Sequence, residues 1–234
     1  MARPFDLVLF DLDGTLVETA PEIADAVNDT LTALGHAPVP LQQVNHWIGH
    51  GTRELLIKAL AQAVDIPPEE VRASEAFGPI EADFGRHYQA RCGTRSHLYP
   101  KVRESLEALR AAGVKLAVVT NKEGRYTQTV LDVHGLTPLF HRVVSGDTLL
   151  VKKPDPAAVH DCLQRFGVAR ERALFVGDSS IDVATARNAG IAVWALPYGY
   201  NMGEPIEACG PDRVIPDLSA LTTWLTLRAG AEAA

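Results

Sequence analysis

Apolar residues gather in short continuous runs at positions 7–10, 115–120, 142–145, 173–177 and 191–196. Runs of this length, bounded by turn residues, predict strands buried on both faces. A weaker run covers 213–215. Between the later runs the apolar spacing lengthens to three and four. It predicts helices at 102–112, 124–134, 156–166 and 181–189, each followed by a glycine. Pro156 suits a first helical turn. Strand and helix alternating over short connections predict an α/β fold: a Rossmann-like, doubly wound, mainly parallel sheet.

The rhythm breaks after the first strand. A long interval separates Phe10 from Lys115, and its pattern is helical at 21–34, at 52–64, and from 67 to roughly 91 with internal breaks. Turn signals stand at 35–38 and 66–68. This predicts an α/β core of residues 1–16 and 96–234, with an α-helical cap domain of residues 17–95 inserted between. Such a cap would lie over the carboxyl ends of the strands, where open α/β sheets bind ligands. The Ala-rich tail after Leu227 is expected to fray.

Composition narrows the partners. Twenty-two Lys and Arg against 29 Asp and Glu give a net charge of -7. No basic block is present, which argues against nucleic acid. Cys92, Cys162 and Cys209 are odd in number and widely spaced, without a Cys-x-x-Cys. They predict reduced thiols in a cytoplasmic protein rather than disulfides or a thiolate zinc site. Asp11 cuts short the first apolar run, so no secretory signal is expected, and no run reaches membrane-span length. The expected partner is a small molecule, and the chain is expected to be a monomer or homodimer.

The candidate chemistry lies at strand ends. Asp11 and Asp13 follow the first strand and point the same way, because side-chain direction repeats every second residue. Gly14 permits a sharp turn after them. Like charges this close ask for a cation or a shared proton. Thr120, Asn121 and Lys122 follow the second strand, Lys153 the third, and Asp178 the fourth, with Asp182 one helical turn on. In a parallel sheet all converge on one edge. Carboxylates of this kind suit Mg²⁺, which prefers oxygen ligands. Lysine and hydroxyl suit phosphate oxygens. Aspartate is a nucleophile in some phosphoryl transfers, and cations offset the charge on the transferring group. Singly, each residue has a plainer reading: a solvated turn for Asp11 and Asp13, a strand end for Thr120, helix-capping charges for Asp178 and Asp182. Their ordered occurrence favours the chemical one.

Asp11-Leu12-Asp13-Gly14-Thr15, Val119-Thr120-Asn121, Lys153-Pro154 and Gly177-Asp178-Ser179 with Asp182 resemble the four ordered motifs of the haloacid dehalogenase (HAD) superfamily. The helical insert resembles its first cap subclass. Trp47-Ile48-Gly49-His50-Gly51, Lys152-Lys153-Pro154-Asp155-Pro156 and Tyr198-Gly199-Tyr200-Asn201 are similar to the phosphoglycolate phosphatases within it. The resemblance implies a Mg²⁺-dependent phosphatase acting through an aspartyl-phosphate on Asp11, with 2-phosphoglycolate the foremost substrate. Asp13 would be the general acid/base and lend its backbone carbonyl to the metal. Asp11 and Asp178 would be the side-chain ligands, with Asp182 behind them. Thr120, the Asn121 amide, Lys122 and Gly14 would bind phosphate or substrate, and Lys153 would bridge nucleophile and phosphate.

This chain departs from the family's usual pattern at Glu18, where Asp is common, and at His50, where Asn is frequent. His50, Thr52 and Arg53 become the cap candidates for choosing a substrate. Arg53 could meet a carboxylate in fork geometry, or simply face solvent. His46 and His50 are spaced for a metal, but Gly49 between them and the lack of a nearby acid speak against one. Trp47, Trp194 and Trp224 read as packing residues. The alternatives are a sugar phosphomutase or sugar-phosphate phosphatase of the same superfamily, or a phosphorylation-switched signalling module. Receiver modules place their acid pair before the acceptor aspartate and lack a large cap, unlike this chain.

Overall fold

Strand β1 (Leu7–Phe10) lies at the centre of a six-stranded, wholly parallel sheet. The computed structural model describes residues 5–223. Beside β1 lie β4 (Lys115–Val119) and then β5 (Arg142–Val144). On its other side come β6 (Ala173–Gly177), β7 (Ala192–Ala195) and β8 (Arg213–Val214). The connections run outward in both directions from β1, so its carboxyl end is a topological switch point.

The unbroken apolar runs are explained by two covered faces. Val8, Phe10, Leu116, Val118, Leu174 and Val176 join one apolar cluster, and their strand neighbours Leu7, Leu9, Ala117, Val119, Ala173 and Phe175 join another. Helices α6 (Val102–Ala111) and α7 (Gly124–Val133) cover the first face. Helices α8 (Ala157–Phe166) and α9 (Ser180–Ala189) cover the second. The predicted helices and strands of this part are all present, within a residue or two at their ends.

Between β1 and β4 run α1 (Ala20–Ala33), α2 (Leu41–Asn45), α3 (Thr52–Val64), α4 (Pro68–Ala73) and α5 (Phe77–Arg91). The segment from 67 to 91 breaks, as expected, into α4 and α5: Ser74 between them is extended and its hydroxyl accepts a hydrogen bond from the Ala76 amide at 3.3 Å. Helix α2 was hidden in a polar stretch that buries only Val44. A two-stranded antiparallel ribbon of β2 (Val17–Glu18) and β3 (His97–Leu98) joins the two ends of the helical block. Two-residue strands carry too little periodicity to be seen in sequence. Beside the ribbon, the fully buried Glu22 accepts hydrogen bonds from the Gly93, Arg95 and Ser96 amides at 2.9, 3.3 and 3.1 Å. One carboxylate thus fastens the returning chain to α1.

Cys92 and Cys162 are buried and Cys209 half-buried, all as free thiols. Trp47 and Trp194 are buried packing residues, as expected. Trp224 and the tail after Leu227 lie outside the described residues. Among the described residues no helix is long and apolar enough to cross a membrane.

Candidate active site

Asp11 leaves β1 with its amide hydrogen-bonded to the Val176 carbonyl at 3.0 Å, and its carboxylate accepts from the Leu12 amide at 2.7 Å. The chain then folds back, with the Gly14 amide donating to Val17 and the Leu16 amide to Leu12. Gly14 has φ +82°, and a Cβ there would stand 2.3 Å from Asp178 Oδ2. It meets both a conformational and a steric requirement. Its amide is spent on Val17 and Gly14 does not line the pocket, so the structure gives it a turn role rather than the expected ligand contact.

Asp178 follows β6 and is gripped on all sides. Thr15 Oγ1 donates to its Oδ1 at 2.5 Å, and the Tyr200 amide to its Oδ2 at 2.6 Å. A Cβ on Gly199 would stand 2.1 Å from the same oxygen. Tyr200 turns its hydroxyl to the start of α1, where it accepts from the Thr19 and Ala20 amides at 3.1 Å each. Thr15, Thr19 and Tyr200 were not among the site residues expected from sequence. The Tyr-Gly-Tyr-Asn stretch was the available signal, but spacing alone could not say what it holds.

Asp182 closes a capping box with Ser179 at the start of α9. Its Oδ2 accepts from the Asp178 and Ser179 amides and the Ser179 hydroxyl, at 3.2, 3.1 and 2.7 Å. Its Oδ1 accepts from Lys153 Nζ at 2.7 Å. Lys153 Nζ also lies 2.9 Å from Asp11 Oδ1, forming a buried carboxylate–ammonium–carboxylate bridge. Asn121 sets the lysine's backbone: its Oδ1 accepts from the Lys153 amide, and its Nδ2 donates to the carbonyls of Lys153 and Gly49. The same carboxamide therefore ties the helical block's loop to the lysine.

Burial pushes the Asp11 carboxyl up to about 7, against the opposing pull of Lys153 and with the help of Asp182 and Asp13. Burial, with Asp182 and Asp11 nearby, also holds Asp178 well above the usual carboxylate range. Burial works against the Lys153 ammonium, but Asp11 and Asp182 outweigh it and hold its pKa above the ordinary value. Carboxylate oxygens of Asp11, Asp178 and Asp182 lie within 4.8 Å of one another. Crowding of this kind fits a hard divalent cation. Asp182 accepts four hydrogen bonds, one of them from the Lys153 ammonium, whereas Asp178 accepts two and Asp11 is bonded through one oxygen, so Asp11 and Asp178 are the better ligands and Asp182 the residue that orients their surroundings.

The pocket above is floored by Asp11, Asp13, Thr120, Asn121, Lys122 and Asp178. From the helical block, Ile23, Ile48, Leu55 and Thr52 form its roof. Thr52 Oγ1 donates to Glu123 Oε2 at 2.6 Å. His50 is exposed and lines no part of the pocket. Arg53 also lies off it, ion-paired with Glu81 and stacked 4.6 Å from the Phe77 ring centre. The structure thus brings Thr52 to the pocket and leaves its candidate neighbours His50 and Arg53 outside. His46 and His50 join no metal-binding cluster among the described residues.

The family profile of the haloacid dehalogenase-like hydrolases matches residues 8–196. The chain belongs to this family. It is therefore an enzyme of the hydrolase class, and its α/β sheet is the family's core. It is 39% identical over 227 residues to the phosphoglycolate phosphatase of Aliivibrio fischeri, covering 97% of this chain and 99% of that one. The phosphoglycolate phosphatase of Psychrobacter arcticus is 38% identical over 219 residues, 94% of this chain and 95% of its own. Among solved structures, a predicted phosphoglycolate phosphatase from Haemophilus somnus superposes with a TM-score of 0.87 at 34% identity. It covers 95% of this chain and 99% of that one.

Proposed function

We propose that this protein is a Mg²⁺-dependent phosphomonoesterase that splits a small phosphate ester, 2-phosphoglycolate foremost, into glycolate and phosphate. The carrying observation is the geometry around Asp11. Its carboxylate lies in the pocket floor, bridged to Lys153, with Asp13 lining the same pocket. The near-full-length similarity to phosphoglycolate phosphatases supports the choice of ester.

An Asp11 oxygen attacks phosphorus and the ester P–O bond breaks, leaving an aspartyl-phosphate. Asp13 gives its proton to the departing glycolate oxygen. It then takes a proton from water as the water oxygen attacks phosphorus, and the phosphorus–oxygen bond to Asp11 breaks to release phosphate. Thr120 and the Asn121 amide hold phosphoryl oxygens, and the Lys153 ammonium offsets their charge. Mg²⁺ would supply further charge neutralisation, held by the side chains of Asp11 and Asp178 and the Asp13 carbonyl.

The division into a core of residues 1–16 and 96–234 and a cap of residues 17–95 belongs to this reading. The ribbon of β2 and β3 and the Glu22 clasp form the hinge line for opening and closing in this reading. A panel of 2-phosphoglycolate, glucose 1-phosphate and a sugar 6-phosphate with Mg²⁺ tests it. Steady release of inorganic phosphate, fastest from 2-phosphoglycolate, is expected. Strong stimulation by a sugar bisphosphate would indicate a mutase instead.

The metal assignment has a readout apart from activity. Mg²⁺ at about 100 times its Kd stabilises the folded chain by roughly 2.7 kcal/mol. For a chain of this size that is a rise in Tm of about 5–10 °C. Asp178→Asn should abolish the rise. Identical melting of the wild type in Mg²⁺ and in chelator would overturn the metal assignment.

Arg53→Ala should leave kcat/KM within about fivefold of wild type, because Arg53 lies off the pocket in an exposed ion pair with Glu81 that contributes at most about 1 kcal/mol. A loss of 100-fold in steady-state assays would restore Arg53 to the substrate site.

A further inference from the structure

Among the described residues lining the pocket, Lys122 is the only cation. Its side chain is 1% exposed, with Nζ 2.8 Å from Asp13 Oδ1 and 4.9 Å from the Tyr88 ring centre. An ammonium carries three donors. Among the described residues, Asp13 is its one hydrogen-bond acceptor. The opposing wall offers no replacement: Ile23, Ile48 and Leu55 are apolar, Thr52 is committed to Glu123, and Arg53 is turned to Glu81.

We propose that Lys122 is the subsite for a carboxylate on the leaving group, selecting phosphate esters of short hydroxy acids over esters of uncharged alcohols. The inference rests on the proposed phosphatase reading. In that reading Asp13 protonates the leaving oxygen. A cation hydrogen-bonded to Asp13 therefore stands on the leaving-group side, not beside the transferring phosphoryl group, where Lys153 already stands. A carboxylate one carbon beyond the ester oxygen reaches the neighbourhood of Asp13 and Lys122 together. Under an apolar roof such a carboxylate is costly to bury without a charged donor, and Lys122 supplies it. The carboxylate-binding role considered for Arg53 thus passes to Lys122, which takes the substrate side of the phosphate-or-substrate role expected of it.

The test compares 2-phosphoglycolate with 2-phosphoglycolamide, an ester of nearly the same shape whose leaving group is uncharged. Wild type should prefer the acid by about 10- to 100-fold in kcat/KM, the range of one charge-assisted hydrogen bond. Lys122→Met should bring the ratio near one, chiefly through KM for the acid, while Lys122→Arg should keep most of the preference. Equal wild-type rates on the two esters would overturn the proposal even if Lys122→Met failed to fold. So would a Lys122→Met enzyme that loses equally on both esters, since Lys122 would then serve Asp13 alone. A wild type that hydrolyses no phosphate ester would instead defeat the underlying phosphatase reading.

Discussion

Asp11→Asn is expected to lower turnover of every phosphate ester by at least about 10⁴-fold while leaving the fold intact, as losing a nucleophile does elsewhere. Steady-state phosphate release checks the first half. Residual activity within 100-fold of wild type would remove Asp11 from the nucleophile role. Stability checks the second half. In the metal-free protein the Asp11 carboxyl titrates near 7 because it is buried beside Asp182 and Asp13. A folded-state pKa above the unfolded value means that the folded chain binds more protons between the two. Ionising Asp11 therefore costs stability as pH rises from about 4 towards 7. The neutral asparagine escapes that cost. Asp11→Asn in chelator should melt higher than wild type at pH 8, and the gain should shrink towards pH 4. A variant that melts lower at pH 8 would show that Lys153 needs Asp11 more than Asp11 suffers from burial.

Lys153→Met should be the most destabilising single change in the site. The ammonium joins Asp11 and Asp182 at 2.9 and 2.7 Å, with its side chain 2% exposed. Removing it leaves two buried carboxylates facing each other. Breaking a buried pair in this way costs about 3–5 kcal/mol. For a chain of this length that corresponds to a fall in Tm of roughly 6–20 °C. Activity should fall with it, since Lys153 is the cation bridged to Asp11 and offsets phosphoryl charge there. Pairing Lys153→Met with Asp182→Asn separates the two effects: stability should recover in part, because one stranded charge is gone, while turnover should not. A Lys153→Met chain that melts like wild type would show that the bridge is not formed in solution. Added Mg²⁺ should narrow the stability loss by taking up the Asp11 charge.

Much of the core was legible because its signals are local. Four-residue and five-residue apolar runs can be strands only if both faces are covered, and β1, β4 and β6 are so covered. Helices α6 to α9 announced themselves by spacing and by the glycine that follows each. The helical block was read less sharply. Helix α2 lies in a polar stretch that buries only Val44, and β2 with β3 exists only as a pair of segments eighty positions apart. Pairing across that distance leaves no periodicity in either segment.

The amino-acid sequence by itself determined the parallel α/β sheet and the order of Asp11, Asp13, Thr120, Lys153 and Asp178 along it. A strand end points where its sheet points, so residues following parallel strands must share an edge. Tertiary structure alone decided how those residues divide the work. Whether Lys122 meets Asp13 or solvent, whether Arg53 turns to the pocket or to Glu81, and which of Asp178 and Asp182 takes the Lys153 ammonium depend on partners distant in sequence. Long flexible side chains take their direction from the charges they find after folding, and no local pattern records where those charges will be.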